Sequence, residues 1–347
     1  MGVSKRPKKY KFKDLNWWIN IESGNIQINP RVSLDDLYFK SHSSGTTGKT
    51  WKDHHDQFFR FAKPSIKGNV CEIGGGSNSI LHKIKDFLKI NAFYSFDKNL
   101  KLKKKNKKIF KVNKFFNDRY FKHNNIKFDL VLHSHTFEHL YDPNKFLKTV
   151  KSILKKKGKH IFTMPNMRPM IKNGYANAMN FEHPFFYDEK LIDSLLKKNN
   201  FQIIKKKYFK KDHSIMYTTK VSMENTNYNY SRYKQNLKLF NNMFNLWKND
   251  ISKINKILKK HQNIFIFGAH IFSQMMLFNN LNKNKIIGVL DNDKSKINNY
   301  LYGTDLKIYN PIFLKKIKNP CVILRAASYN SEIKKQLLKI NNKTLII

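Results

Sequence analysis

Three consecutive glycines in the stretch "NVCEIGGGSNSILHKI" (69–84) follow an apolar run and an acid, Glu72. Glycine lets the backbone pass close to a ligand at the end of a strand and lets the next helix begin against the sheet. About twenty residues later, "AFYSFD" ends in Asp97, where a carboxylate can accept both hydroxyls of an adenosine ribose. No third glycine completes a G-x-G-x-x-G pattern, because "SNS" comes next. The spacing predicts an adenosine-containing cofactor and leaves open which one, NAD and flavins included.

Histidines beside carboxylates form the second group that could do chemistry. Glu182 and His183 lie in "NAMNFEHPFFYDEK", and His139 lies in "EHLYDP". Histidine titrates near neutral pH and so suits a general base, and a neighbouring carboxylate can set its tautomer and orientation. His54 and His55 stand between Asp53 and Asp56, a spacing that resembles a metal site. A solvated helix face is the interpretation favoured for that pair.

An alternation of strand and helix patterns must position these residues. A hairpin around "ESGN" and a helix "KDHHDQFFRFAK" are predicted within residues 1–65, and a polar stretch separates them. Residues 66–222 alternate strand and helix, which indicates parallel β-α units in one sheet with helices on both faces. Residues 223–262 read as a helical linker, and residues 263–347 begin the alternation again. The predicted fold class is a Rossmann-like α/β sheet followed by a smaller C-terminal α/β domain.

Composition narrows the remaining function classes. The formal net charge is +43, but only seven of the 67 basic residues are arginine, and the lysines are spread along the whole chain. Nucleic-acid recognition favours arginine forks, so an RNA-binding or RNA-modifying protein is kept as the alternative from another class, and attraction of anionic substrates is preferred. No apolar run reaches the ~18–20 residues of a membrane span and no signal peptide is evident, so a cytoplasmic protein is expected. Cys71 and Cys321 lie in apolar runs, which predicts two buried thiols.

Several motifs taken together resemble the class I S-adenosylmethionine-dependent methyltransferases. Five features occur in the order of that family: the acidic strand "EIGGG", the second-strand acid "FD", the strand "FDLV", the helix start "EHLYDP", and a lysine-rich helix that ends in glycine before the strand "KHIFTMPN". The resemblance implies that S-adenosyl-L-methionine is the cofactor. It also implies the cofactor contacts, with the methionine part at Glu72, Gly74, Gly75 and Gly76, the ribose at Asp97, the adenine near Phe115 in "NKFF" (113–116), and a further contact at His133.

Beyond that core, the chain resembles the sugar C-methyltransferases that act on nucleotide-linked keto-deoxysugars. Their "Y-x-E-H" motif matches at Glu182 and His183, but its tyrosine is Asn180 here. The resemblance implies catalytic roles for His183, Glu182, His139 and Asn180, and a substrate contact at His213. Three further substrate contacts are predicted from the residues themselves: His42, in the loop before the cofactor strand, and the hydroxyl donors Tyr38 and Tyr187. It also implies that the C-terminal domain, which includes "IFIFGAHIFSQMM", closes over the substrate. The cysteine-paired zinc domain with which that group commonly begins has no counterpart before Cys71, so no metal is expected.

C-methylation requires both a base and a hydrogen-bond donor, and the replacement of the motif tyrosine by Asn180 affects the donor. A carbon next to a ketone becomes a nucleophile only when a base removes its proton and a donor stabilises the enolate oxygen. His183 with Glu182 is predicted to be the base. Asn180 can donate a hydrogen bond but cannot act as an acid, so another donor, Tyr187 or Tyr38, is expected to serve. O-methylation of a sugar or of another small metabolite needs only the base and is the alternative within the enzyme class.

Overall fold

A computed structural model describes residues 2–5, 13–37, 48–76, 79–98, 106–222 and 230–347. The strands in chain order are β1 (Val3–Ser4), β2 (Trp17–Ile19), β3 (Ile26–Ile28), β4 (Gly68–Ile73), β5 (Ile90–Phe96), β6 (Ile109–Val112), β7 (Phe128–Ser134), β8 (Leu154–Pro165), β9 (Phe201–Phe209), β10 (Ser214–Val221), β11 (Ile264–Phe267), β12 (Ile286–Leu290), β13 (Tyr300–Leu301), β14 (Ile308–Tyr309), β15 (Cys321–Leu324) and β16 (Leu345–Ile346). The α-helices are α1 (Leu34–Leu37), α2 (Lys49–Ala62), α3 (Asp118–Asn124), α4 (Pro143–Ile153), α5 (Met167–Lys172), α6 (Glu189–Lys198), α7 (Tyr233–Leu258), α8 (Ile271–Phe278) and α9 (Asn330–Ile340).

A seven-stranded sheet of order β6-β5-β4-β7-β8-β10-β9 forms the centre of one compact unit, which comprises Trp17–Pro169 and Phe181–Tyr233. The pairs among β6, β5, β4, β7 and β8 are parallel. β10 runs antiparallel to both β8 and β9, so the prediction of a purely parallel sheet was wrong at this edge. The turn between β9 and β10 spans only residues 210–213, and so short a connection can join only antiparallel neighbours.

The connection after β4 differs from the predicted amphipathic helix. Its described residues include the 3₁₀ turn Ile80–Lys83 and contain no α-helix. Ile80, Leu81, Ile84 and Phe87 are all buried in one core cluster with α2 and the central strands. This short connection buries four apolar side chains, and the α2 helix supplies further apolar cover in the same cluster.

The lysine-rich segment around the start of β8 also differs from the prediction, which was a helix that ends in glycine. The α4 helix ends at Ile153, and β8 already begins at Leu154, which pairs with Phe128 at the start of β7. A Cβ at Gly158 would lie 2.8 Å from the Phe128 carbonyl oxygen. The glycine therefore serves close strand pairing and does not end a helix.

The second compact unit comprises Met1–Asn16, Met170–Asn180 and Lys234–Ile347. Its five-stranded sheet, of order β14-β12-β11-β15-β16, is parallel throughout, as the sequence predicted for a C-terminal α/β domain. The turn after β11 is filled by the chain itself, because a Cβ at Gly268 would meet the His270 ring at 2.1 Å. Asp291 accepts a hydrogen bond from Ala269 N and pairs with Lys296. The side chains of His270 and Asp291 thus occupy the space at this turn.

Two further expectations concern membrane helices and cysteines. No helix in the described part of the chain is both long and apolar enough to cross a membrane. Cys71 in β4 and Cys321 in β15 are buried free thiols, as predicted.

Candidate active site

The glycine turn lies at the carboxyl end of β4, the strand where the order of the parallel sheet reverses. Ligands of doubly wound sheets bind at this kind of switch point. Gly74 has φ +70° and Gly76 has φ +50°, which is a left-handed backbone conformation that residues other than glycine rarely adopt. A Cβ at Gly74 would lie 2.5 Å from Thr136 Oγ1. The turn therefore needs glycine at Gly74 both for its backbone angles and for its approach to the segment after β7.

The two acids predicted to contact the cofactor occupy different environments. Asp97 follows β5 directly, and a Cβ at Gly76 would lie 3.5 Å from Asp97 Oδ2, so this carboxylate borders the glycine turn. Glu72 is buried and accepts hydrogen bonds from the Ser79 hydroxyl and from Ile80 N at 2.7 Å. Burial raises the pKa of Glu72 to about 7 against the effect of these hydrogen bonds. Glu72 thus fixes the far end of the turn, and Asp97 lies beside its glycines.

Phe115 and His133 occupy contrasting positions. The Phe115 ring is 41% exposed, with Lys98 Nζ over it at 4.9 Å from its centre, and the adenine contact expected of it stays a prediction. His133 in β7 is fully buried, and its Nε2 lies 2.9 Å from His160 Nε2 among Phe137, Phe146 and Phe162. The expectation that His133 contacts the cofactor does not fit this position, because the strand alternation turns the side chain into the core.

A carboxylate and two histidines come together beyond β7. One oxygen of Glu138 and one ring nitrogen from each of His139 and His183 all lie within 4.8 Å of one another. The His139 and His183 ring centroids are 5.0 Å apart. Burial alone would raise the pKa of Glu138, but His135, His139 and His183 outweigh it and lower that pKa below its usual value. The group is therefore an ionised buried carboxylate facing two imidazoles.

Glu182, the carboxylate that the sequence assigned to His183, contacts the other histidine. His139 Nδ1 lies 3.1 Å from the Glu182 carbonyl oxygen and 3.9 Å from its carboxylate. Glu138, which the sequence analysis did not single out, shares the buried group with His183. The spacing of His135 and Glu138 in "HSHTFEH", three residues apart, could have indicated that these two side chains are in contact. In the structure His135 Nδ1 lies 3.0 Å from Glu138 Oε1.

The remaining predicted residues divide into three cases. Tyr187 is fully buried and its hydroxyl donates to the Leu140 carbonyl oxygen at 2.7 Å, and the substrate contact expected of it stays a prediction. Asn180 belongs to the other compact unit, where its amide donates to the Asn177 carbonyl oxygen at 3.1 Å. Tyr38 and His42 lie outside the described residues, and the roles predicted for them stay predictions.

His213 belongs to a second group, here called the histidine cluster and defined as His54, His55, His135 and His213. The ring of Trp51 lies 4.9–5.6 Å from all four imidazole centroids. His54 is 0% exposed and packs against His135, His213 and Phe209, so the predicted solvated helix face is wrong for this residue. Trp51, His54 and His55 stand three and four residues apart in α2, and this spacing turns them to one side of the helix.

The described residues of the switch point fit an adenosine-containing cofactor. The glycine turn brings backbone to the strand end without side chains in the way, and Asp97 offers a carboxylate beside it. Glu138 and His139 follow Thr136, whose hydroxyl borders Gly74. The residues predicted to bind the cofactor and the titratable residues after β7 therefore lie at the same edge of the sheet.

Comparison with known proteins identifies the larger part of this unit. Residues 47–206 match a family model described as a methyltransferase domain, and residues 260–347 match one described as C2185-like, N-terminal. No curated protein matches the sequence.

Similar solved structures share low sequence identity with this chain. They include S-adenosylmethionine-dependent methyltransferases from Mesorhizobium loti (12% identity over 50% of this chain and 99% of that chain, TM-score 0.39) and Clostridium acetobutylicum (14%, 54% and 97%, TM-score 0.34). A DhpI–SAH complex is a third (11%, 50% and 87%, TM-score 0.36). At these TM-scores the likeness carries no argument, and the family match decides. Residues 47–206, just under half of the chain, match the methyltransferase-domain model, and this match supports an S-adenosylmethionine-dependent methyltransferase.

Proposed function

We propose that this methyltransferase acts on a nucleotide-linked sugar, at a carbon next to a ketone, with His183 as general base. The observation that carries the proposal is the group of Glu138, His139 and His183. Glu138 and His183 are buried, and Glu138 lies two residues after Thr136, which borders Gly74. S-adenosylmethionine supplies an electrophilic methyl group on a cationic sulfur. Methylation of a carbon requires a base near that methyl group, whereas binding of the cofactor alone requires none.

The proton to be moved is the one on the carbon next to the ketone. A neutral His183 takes this proton, and the electron pair left behind forms the enolate, whose carbon then bonds to the methyl group as the carbon–sulfur bond breaks. The resulting imidazolium lies near the ionised Glu138, which stabilises it. His139 donates from Nδ1 to the Glu182 carbonyl oxygen, so Nε2 of the neutral ring is an acceptor, and His139 serves to orient the ring of His183.

The positive charge of the chain suits a nucleotide-linked substrate. With 67 basic and 24 acidic residues, the protein attracts anions over long range, and a nucleoside diphosphate is strongly anionic. The same charge would attract RNA, so the acceptor is tested directly below.

O-methylation of a sugar or other small metabolite is the second candidate, and one observation favours it. The Tyr187 hydroxyl already donates to the Leu140 carbonyl oxygen and is fully buried, which removes one phenol from the donors available to an enolate. Methylation of a hydroxyl needs the base alone, so the same His183 would serve.

Deuterium exchange separates these alternatives. The protein is incubated in D₂O with S-adenosylhomocysteine and a panel of nucleotide-linked keto-deoxysugars, and mass spectrometry follows deuterium at the carbon next to the ketone. C-methylation predicts exchange without methyl transfer, and loss of His183 in His183→Ala should slow it about 10²–10⁴-fold. His261→Ala, which changes a histidine of the other unit, is the matched control.

Other outcomes decide against parts of the proposal. Parallel incubations with S-adenosylmethionine test methyl transfer to the same sugars and to RNA. Methyl transfer to a sugar hydroxyl without exchange would replace C-methylation by O-methylation. Methyl transfer to RNA and to none of the sugars would overturn the sugar substrate. Equal activity of His183→Ala and wild type would remove His183 from the chemistry.

A further inference from the structure

The histidine cluster brings three potential metal ligands together from distant parts of the chain. His54 lies in α2, His135 follows β7, and His213 precedes β10. One ring nitrogen from each of the three lies within 4.8 Å of the others. The ring centroid of His54 is 5.1 Å from that of His135 and 5.3 Å from that of His213. Nothing in the proposed methyl transfer uses these three rings together.

Two buried nitrogens of this cluster have no hydrogen-bond partner. They are His54 Nδ1 and His55 Nε2. Buried polar atoms in folded proteins nearly always have a partner, and an unmet one indicates a bound water or ion. His54 Nε2, in contrast, is 3.2 Å from Thr163 Oγ1. His54 is thus held in place through one nitrogen while the other has no partner.

His135 has the support that ligating histidines usually have. Its Nδ1 lies 3.0 Å from Glu138 Oε1, and a carboxylate behind a histidine fixes the tautomer and raises the basicity of the other nitrogen. That other nitrogen, Nε2, lies 3.1 Å from Ser214 Oγ, whose oxygen is also 2.6 Å from His213 Nδ1. Binding through His135 Nε2 replaces the first of these hydrogen bonds.

We propose that His54, His135 and His213 bind one divalent transition-metal ion such as Zn²⁺. Imidazole is a preferred ligand of zinc, and three protein ligands leave a fourth tetrahedral position for water or a substrate oxygen. Zinc–nitrogen bonds of ~2.0–2.1 Å place the ligand nitrogens about 3.4 Å apart. Small side-chain rotations therefore complete the site. The proposal departs from the sequence expectation of a protein without metal and does not depend on the methyl acceptor.

The first test measures metal content without any activity assay. Protein without a histidine tag is treated with EDTA, exchanged into excess Zn²⁺, freed of unbound metal and analysed by mass spectrometry for zinc per chain. We expect one ion per chain in wild type, His261→Ala and His183→Ala, and background zinc in His213→Ala. The His183→Ala variant separates the cluster from the Glu138–His139–His183 group. Absence of zinc from folded wild type, or zinc kept in His213→Ala, overturns the proposal.

A second test covers variants that fail to fold. X-ray absorption of zinc-loaded wild type should show three imidazole nitrogens at ~2.0–2.1 Å. Fewer than three would overturn the assignment of His54, His135 and His213 as a set. Circular dichroism of each variant establishes whether its metal loss reflects lost ligation or lost structure.

Discussion

The buried pair His133 and His160 makes the stability of the methyltransferase domain depend on pH in a way that one substitution should change. Both rings are fully buried, and burial lowers the pKa of His160 to about 3. In the unfolded chain a histidine titrates near 6.5. Between those values the unfolded state binds more protons, so the stability from neutral His160 is fully present above about pH 6.5 and is lost as pH falls toward 3.

The magnitude follows from the two pKa values of His160. At pH 5.0 an unfolded pKa of about 6.5 and a folded pKa of about 3 give a loss of about 2 kcal/mol relative to pH 7.5. The Nε2 atom of His160 lies 2.9 Å from His133 Nε2. In His160→Gln an amide group, which does not titrate, replaces the imidazole at this position. The variant should therefore lose about 2 kcal/mol less than wild type between these two pH values, whatever its stability at pH 7.5.

Urea unfolding at pH 7.5 and 5.0 measures this difference. The transition that shifts on addition of S-adenosylhomocysteine identifies the methyltransferase domain, because a ligand stabilises only the unit that binds it. His261→Gln, at a half-buried histidine of the other unit, is the control and should behave as wild type in that transition. An equal loss of stability in His160→Gln and wild type would refute the reasoning, since the neutral buried imidazole could not then be its source.

Two further predictions concern the cofactor site. Asp97→Asn should weaken S-adenosylhomocysteine binding about 10–100-fold in calorimetry through loss of charged hydrogen bonds to the ribose, whereas Asp305→Asn in the other unit should leave the affinity unchanged; equal affinities would remove Asp97 from the site. Gly74→Ala should destabilise the domain by at least about 1–2 kcal/mol in urea unfolding because of the positive φ at this position. Adding Thr136→Ala to this variant should restore part of the loss, since it removes the 2.5 Å approach of the new Cβ to Thr136 Oγ1. No recovery in the double variant would contradict the proposed contact.

Local patterns in the sequence were sufficient for the alternating elements and for the glycine turn. The apolar runs that became β4, β5, β7 and β11 are short and bounded by polar residues, and the spacing of α7 follows a helical period over its whole length. Gly74 to Gly76 and Asp97 stand at consecutive strand ends, which parallel topology brings to one edge of the sheet. These features depend on neighbours along the chain, so a single sequence contains them.

Tertiary structure alone decided which histidines meet and which are buried. His54, His135 and His213 are far apart in sequence, and only the packing of α2 against the ends of β7 and β10 places them around Trp51. The sequence paired Glu182 with His183 because they are adjacent, whereas the fold brings Glu138 to His183 from another segment. His133 and Tyr187 stood at motif positions, yet their side chains point into the core. Adjacency fixes the order of residues along a strand or turn, but the face that each side chain presents depends on contacts with distant parts of the chain.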